Sequence, residues 1–158
     1  MPARRSRMNA LLPLAVACGI AIAGYFVFSS GAPSRVVPAV HGPQFAACGY
    51  LIRDNCVIDG DTFYYHGDKV RIADIDAPET RGAQCDLEAK RGARATTRLR
   101  ELLNEGPFEL RSFQSRDTDR YGRKLRIVMR NGASLGERLV SEGLARRWSG
   151  RRMPWCGV

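Results

Sequence analysis

Acids and arginines concentrate in three short segments of the 158-residue chain: Val57-Ile58-Asp59-Gly60-Asp61-Thr62-Phe63, Arg71 to Thr80, and Asp117 to Arg123. Carboxylates set among β-branched residues in strands are costly to bury unless they are paired or bind a cation. Asp61 and Asp76, placed at neighbouring strand ends, can converge on a hard cation, for which oxygen donors select Ca²⁺ or Mg²⁺ over softer metals. Glu79 lies three residues after Asp76, beyond the Pro78 turn, where a base can face the same point. Arg71 and Arg123 can grip a phosphate with paired N–H donors. A cation that polarises a phosphoryl group, a base for water and cations for the added charge are the requirements of phosphodiester hydrolysis. The same spacing also permits structural salt bridges between these acids and arginines.

The elements that must position these residues follow from hydrophobic period. Residues 56–66 read as strand interrupted by Asp59-Gly60-Asp61, with Gly67-Asp68 as a turn into a second arm, Val70 to Ile75. Ala77-Pro78 ends that arm, since Pro has no N–H for a central ladder. Ala95, Leu99, Leu102 and Leu103 form one apolar stripe and predict a helix over 86–104, with Asp86 as its cap and Gly106-Pro107 as its stop. Phe108 to Phe113 reads as a strand, and Leu125, Ile127 and Met129 alternate with basic residues in another. After the Asn131-Gly132 turn, Ser134-x-x-Glu137 is a capping box for a short helix that Gly143 stops. Short strands with a helix inserted after the third suit an α+β, mainly β fold, a five-stranded, partly open OB-type barrel. Periodicity alone also fits other α+β arrangements.

Composition narrows the class. Apolar residues make up 44% of the chain, which excludes a wholly disordered protein. A single long apolar run excludes a multi-pass membrane protein, and no repeat of solenoid or propeller period occurs. Arg4, Arg5 and Arg7 precede that run, Ala10 to Phe28, which contains 19 residues and no charge. A basic start before an apolar run is an export signal or an uncleaved anchor, so residues 1–29 are expected to send the rest of the chain out of the cytoplasm, to the periplasm, the medium or the outer side of the inner membrane. Residues 30–47, rich in Ser, Gly, Pro and Ala, read as a linker, and the domain is expected over 48–158. The whole chain carries a net charge of +9, and without the three leader arginines 22 basic and 16 acidic groups remain, a net +6. Such an excess suits a polyanionic partner or a merely solvated basic surface.

Cys48, Cys56, Cys85 and Cys156 lie outside the apolar run, an even number that suggests two disulfides in an exported chain. Three connectivities are open. Cys48–Cys56, a local loop, with Cys85–Cys156, a tie for the C-terminus, is the favoured pair. No Cys-x-x-Cys spacing occurs, and only His41 and His66 are available as histidine ligands, which argues against zinc.

The motifs resemble those of the staphylococcal nuclease (thermonuclease) family. The matching pieces are Ile58-Asp59-Gly60-Asp61-Thr62, Arg71 with Asp76-Ala77-Pro78-Glu79, Asp119-Arg120-Tyr121-Gly122-Arg123, and Leu139 to Ala145, in order, over residues 56–145. The resemblance implies a short, exported, bacterial-type member with that family's OB-type barrel. It implies that Asp61, Asp76 and the backbone carbonyl of Ala77 hold Ca²⁺, with Asp59 behind them. Glu79 then matches the proposed general base, and Arg71 and Arg123 match the arginines on the scissile phosphate. Arg120 and Tyr121 match contacts to a terminal phosphate. The implied activity is Ca²⁺-dependent hydrolysis of DNA and RNA, with little sequence preference and 3′-phosphate products, by a monomer with no protein partner and a membrane contact only through an uncleaved leader. Family members often continue past the last motif with base-stacking aromatics and a long helix. Here 13 residues follow Ala145, so that helix is expected to be lacking. Trp148 can supply stacking, or with Trp155 cover the barrel where that helix would pack. Arg146, Arg147, Arg151 and Arg152 suit a phosphate-backbone patch. The alternatives are a non-catalytic OB-fold module that binds nucleic acid, and an anchored scaffold on an anionic surface, in which the acidic cluster has no role.

Overall fold

The computed structural model describes residues 42–51 and 53–157; the expectations for residues 1–29 and for most of the 30–47 linker lie outside them. In chain order the elements are β1 (Ala46–Ala47), β2 (Cys56–Asp59), β3 (Thr62–Tyr65), β4 (Asp68–Ile72), β5 (Ile75–Asp76), α1 (Asp86–Asn104), β6 (Glu109–Ser112), β7 (Lys124–Arg130), β8 (Ala133–Ser134), α2 (Leu135–Ser141) and β9 (Arg146–Arg147). The fold is therefore mainly sheet with two helices. No helix among the described residues is long and apolar enough to cross a membrane.

Seven strands form one sheet in the order β1-β2-β3-β4-β7-β6, with β8 beside β7, while β5 and β9 pair in a separate two-stranded sheet. β2, β3 and β4 meander antiparallel, and β4 runs parallel to β7. The β3–β4 turn is His66-Gly67, one residue earlier than expected; both have positive φ, 49° and 81°, as a tight hairpin turn of primed type requires. The mainly-sheet α+β class is as expected, but no closed barrel is seen and the five-strand count is not confirmed. Among the described residues there are nine strands in two sheets, and no ladder joins the β1 edge to the β6 edge. The extra strands β1, β5, β8 and β9 have two residues each, too few to leave a period in the sequence.

α1 spans the expected residues, and its stripe of Ala95, Leu99, Leu102 and Leu103 is buried against Val57, Phe63, Val70 and Ile72 of the sheet and Leu139 of α2. Its N-cap is Cys85 and not Asp86; Asp86 and Glu88 instead fall in the first turn, where the helix dipole favours acids. For α2, Ser134 Oγ accepts from the Glu137 N–H at 3.2 Å as the capping box predicts, while Arg147 binds the Glu137 carboxylate at 2.7 Å.

The packed domain begins earlier than the expected boundary at Cys48. Phe45 is 4% exposed and joins the core. Its ring stacks on Tyr65 with centroids 6.0 Å apart and meets Phe63 edge-on at 5.9 Å. Asn104 grips its backbone on both sides, accepting from its N–H at 2.7 Å and donating to its carbonyl at 3.0 Å. A lone Phe beside a two-residue strand carries no period, so composition reads these residues as linker. The favoured disulfides both form: Cys48–Cys56 closes the loop beside β2, and Cys85–Cys156 ties the C-terminal segment to the start of α1.

Candidate active site

Two turns docked on α1 bring the acids together. The first joins β2 to β3. A side chain at Gly60 would put its Cβ 2.6 Å from that of Ala95 and 2.8 Å from that of Ala77, so only glycine lets this turn seat between α1 and the residues after β5. The second turn carries Pro78 and Glu79. A Cβ at Gly92 would lie 2.4 Å from the Glu79 carbonyl oxygen, which shows how closely α1 approaches it. Glu88, buried on α1, accepts from the N–H of Gln84 at 2.8 Å and of Glu79 at 3.4 Å. Helix and turn are thus locked before any functional side chain is considered.

Asp61 and Asp76 are each 3% exposed. Asp61 accepts from Thr62 Oγ at 2.9 Å and from the Ala77 N–H at 3.2 Å, and its own N–H donates to Asp59 at 3.3 Å. Buried Arg71 lies 3.2 Å from Asp61 and 3.9 Å from Asp76, and donates to the Ile75 carbonyl at 3.0 Å and to that of Ile72. Asp76 Oδ1 also takes the Arg152 Nε at 3.0 Å, while Asp76 Oδ2 is buried with no hydrogen-bond partner. Arg152 pairs with Glu79 too and comes within 3.9 Å of Asp61. Three carboxylates, Asp61, Asp76 and Glu79, therefore share two guanidinium groups. Burial, with the neighbouring Asp61 and Glu79 charges, pushes the Asp59 carboxyl up to about 7. Burial first, with Asp61 adding to it, also raises Asp76 above the usual carboxylate range, although Arg152 and Arg71 oppose the shift.

Above these acids opens a cleft of about 780 Å³, lined among others by Arg71, Glu79, Arg120, Tyr121, Arg123, Trp148 and Arg152. Asp119 holds Arg123 in place: its carboxylate accepts from Arg123 Nε at 2.6 Å and from the Arg123 N–H at 3.0 Å. Burial works against the charge on Asp119, but the bonds from Arg123 and from the Tyr121 N–H outweigh it and hold the carboxyl below its ordinary value. The far end of Arg123 reaches Thr62 Oγ at 3.5 Å. Tyr121 is 67% exposed, with the Arg120 guanidinium 4.7 Å from its ring centroid and that of Arg123 at 5.5 Å. Trp148 donates its backbone N–H to the Asp74 carbonyl at 2.8 Å and sets its ring 5.6 Å from the Arg71 guanidinium.

The structure thus brings Arg71, Glu79, Arg123, Arg120, Tyr121 and Trp148 to one cleft, with Asp61 and Asp76 against Arg71 and Asp59 behind Asp61. Ala77 meets Asp61 through its N–H. The two tryptophans part company: Trp148 lines the cleft, whereas Trp155 is buried under the Arg146 guanidinium, 3.7 Å from its ring centroid. The expected C-terminal arginine patch is dispersed, because Arg146 packs on Trp155, Arg147 pairs with Glu137 and Arg152 turns into the acids. Glu88 and Asp119 have no site role in the sequence reading, and Arg152, expected on a phosphate backbone, is found on the acids instead. The i,i+4 spacing of Asp119 and Arg123 is a signal for one of them; no spacing signals Arg152.

As donors, the buried carboxylates suit a hard cation, and the unpartnered Asp76 Oδ2 is an oxygen such a cation would satisfy. Among the described residues, however, no three His, Cys, Asp or Glu side chains converge as a group that could hold a metal ion.

Endonuclease YncB of Bacillus subtilis (strain 168) is 40% identical over 93 residues, which cover 56% of this chain and 44% of that protein. The SPbeta prophage-derived endonuclease YokF of the same strain is 40% identical over 93 residues, covering 56% of this chain and 31% of its own length. The chain spans less than half the length of these curated relatives. The sequence profile described as staphylococcal nuclease homologue matches residues 69–153, a span that runs from β4 to the segment after β9 and contains Arg71, Asp76, Glu79, Arg123 and Arg152. With more than half of its length matched, and the matched arginines and carboxylates gathered at one cleft, the chain belongs to the staphylococcal nuclease homologue family.

Proposed function

We propose that the domain is an endonuclease, a Ca²⁺-dependent phosphodiesterase that hydrolyses DNA and RNA with little sequence preference and leaves 3′-phosphates. The observation that carries this reading is the cleft itself, where Arg71, Arg123 and Glu79 face one space over a buried pair of carboxylates with an oxygen left over. The two relatives named as endonucleases support it.

Asp61, Asp76 and the carbonyl of Ala77 are the groups that hold Ca²⁺ in this proposal, and Asp59 braces the Asp61 backbone from behind. When bound, the ion supplies Lewis-acid polarisation of the phosphoryl oxygen. Arg123, held by Asp119, presents its guanidinium to the scissile phosphate, and Arg71 adds a second positive charge where negative charge develops. Glu79 takes the proton from the attacking water, a transfer that general-base catalysis makes worth about 10²–10⁴-fold in rate. Arg120 and Tyr121 contact a terminal phosphate at the cleft mouth. The exposed face of Trp148 stacks on a base, worth about 1–3 kcal/mol per base. Read with the basic apolar leader, the domain works as a monomer outside the cytoplasm, released or held to the inner membrane.

The test uses the oxidised full chain with denatured DNA and RNA in Ca²⁺, Mg²⁺ or EDTA, beside Glu79→Gln, with end-group analysis of the products. Cleavage in Ca²⁺ is expected to stop in EDTA and to fall by about 10²–10⁴-fold in Glu79→Gln. Binding without cleavage under every condition would replace the enzyme with a non-catalytic nucleic-acid-binding module.

A further inference from the structure

The two arginines that neutralise the acid cluster are held very differently. Arg71 grows from β4, its side chain is 8% exposed, and two backbone carbonyls fix its guanidinium. Arg152 comes from the segment after β9 and its side chain is 41% exposed. Its guanidinium nevertheless touches three acids: Asp76 at 3.0 Å, Glu79, and Asp61 at 3.9 Å. The segment that delivers it is pinned at both ends. Trp148 is hydrogen-bonded to the Asp74 carbonyl at 2.8 Å, and beyond Arg152 come buried Trp155 and the Cys85–Cys156 disulfide to the start of α1. Pinning of this kind keeps a tethered group at high effective concentration beside its partners.

From this asymmetry we propose that Arg152 is a tethered counter-ion that competes with a divalent cation for Asp61 and Asp76, an inference that rests on the reading of those two acids as cation ligands. A guanidinium and a divalent cation cannot occupy the same carboxylate oxygens, and at this separation like charges repel strongly in a partly buried site. Arg71 cannot leave, because its bonds to the Ile72 and Ile75 carbonyls would be lost in a buried place. Arg152 can, because the cleft lies open beside it. The C-terminal segment therefore sets the cation concentration at which the site fills. In the cation-free protein it also stabilises carboxylates that would otherwise have Arg71 alone to offset them.

Calorimetric titration of the oxidised full-length protein with Ca²⁺ at low ionic strength tests this, together with melting curves in EDTA and in Ca²⁺. The proteins compared are wild type, Arg152→Ala, Arg152→Lys and Asp76→Asn. Arg152→Ala is expected to bind Ca²⁺ about tenfold more tightly than wild type, a coupling of the size usual between linked binding events. It is also expected to melt at a lower temperature in EDTA and to gain more from Ca²⁺. Arg152→Lys, which keeps the charge and loses the fork, is expected to bind Ca²⁺ between the two and guards against a fold defect in the alanine variant. Equal or weaker Ca²⁺ binding by Arg152→Ala, with wild-type binding lost in Asp76→Asn, overturns the competition and leaves the cation site standing. No Ca²⁺ binding in any of the four proteins overturns both.

Discussion

Arg98 and Arg71 each gather carboxylates, and the fold treats the two clusters in opposite ways. Arg98, on α1, meets Glu142 beyond α2 at 2.8 Å, and Glu101 of its own helix and Glu105 at that helix's C-cap at 3.1 Å each, at the surface. The Arg98 guanidinium, helped by Arg138, holds the Glu142 carboxyl below its ordinary value against the opposing effect of burial. Around Arg71 the same residue types are buried. Burial drives Asp59 and Asp76 upward, and one oxygen of Asp76 has no partner. A surface cluster can relax into water and so ends satisfied. A buried cluster cannot, so acids in excess of cations persist only where surrounding packing forces them together, as Gly60 and Gly92 against their neighbours do here. An excess of that kind is what a cation-dependent site needs and what a purely structural salt bridge avoids.

Removing the central arginine from each cluster separates the two regimes most widely. Arg71→Ala leaves Asp61 and Asp76 buried without their fixed counter-charge, and a loss of about 3–5 kcal/mol is expected from denaturant unfolding in EDTA. Arg98→Ala is expected to lose no more than about 1 kcal/mol in the same assay. Equal losses would mean that the buried cluster is as well solvated as the surface one.

A smaller effect is expected from the packing that enforces the crowding. Gly92→Ala drives a methyl into the Glu79 carbonyl, and a destabilisation of about 1–3 kcal/mol is expected, as for other overpacked contacts. Cleavage should fall more in Gly92→Ala than in Ala93→Ser, a change at the exposed neighbouring position, because the turn that carries Glu79 is displaced. Equal activities would separate the turn's position from catalysis.

The smallest effect belongs to the surface cluster and appears with pH. The folded-state carboxyl of Glu142 lies below its unfolded value of about 4.5, so its contribution is present above that pH and is lost as pH falls through the folded value. Glu142→Gln is therefore expected to lower stability slightly at pH 7, by well under 1 kcal/mol given its exposure, and to match wild type in acid. A difference that grows on acidification would reverse the assignment.

Much of the site was legible because its signals are local. Asp61, Arg71, Asp76, Glu79 and Arg123 sit in three short motifs, and the structure gathers them at and beneath one cleft. α1 was legible to the residue because 19 residues with one apolar stripe leave a strong period. The division of the strands into two sheets was not, since short strands report their own alternation but not which distant strand they pair with; β5 finds β9 some 70 residues away, joining Ile75 to Arg147. Phe45 was read as linker because its burial depends on Tyr65, Phe63 and Asn104, none of them near it in the chain.

The sequence alone determined the kinds of chemistry available and the two helices, because residue type, capping and hydrophobic period act within a few residues. Only the tertiary structure decided how those charges are balanced. Arg146, Arg147 and Arg152 look alike in the chain, yet one covers Trp155, one binds Glu137 and one enters the acids. That choice is made by the Cys85–Cys156 bond, the buried Trp155 ring and the docking of α1 on two turns. Electrostatic energy depends on separation and burial in space, and neither is encoded by position along the chain.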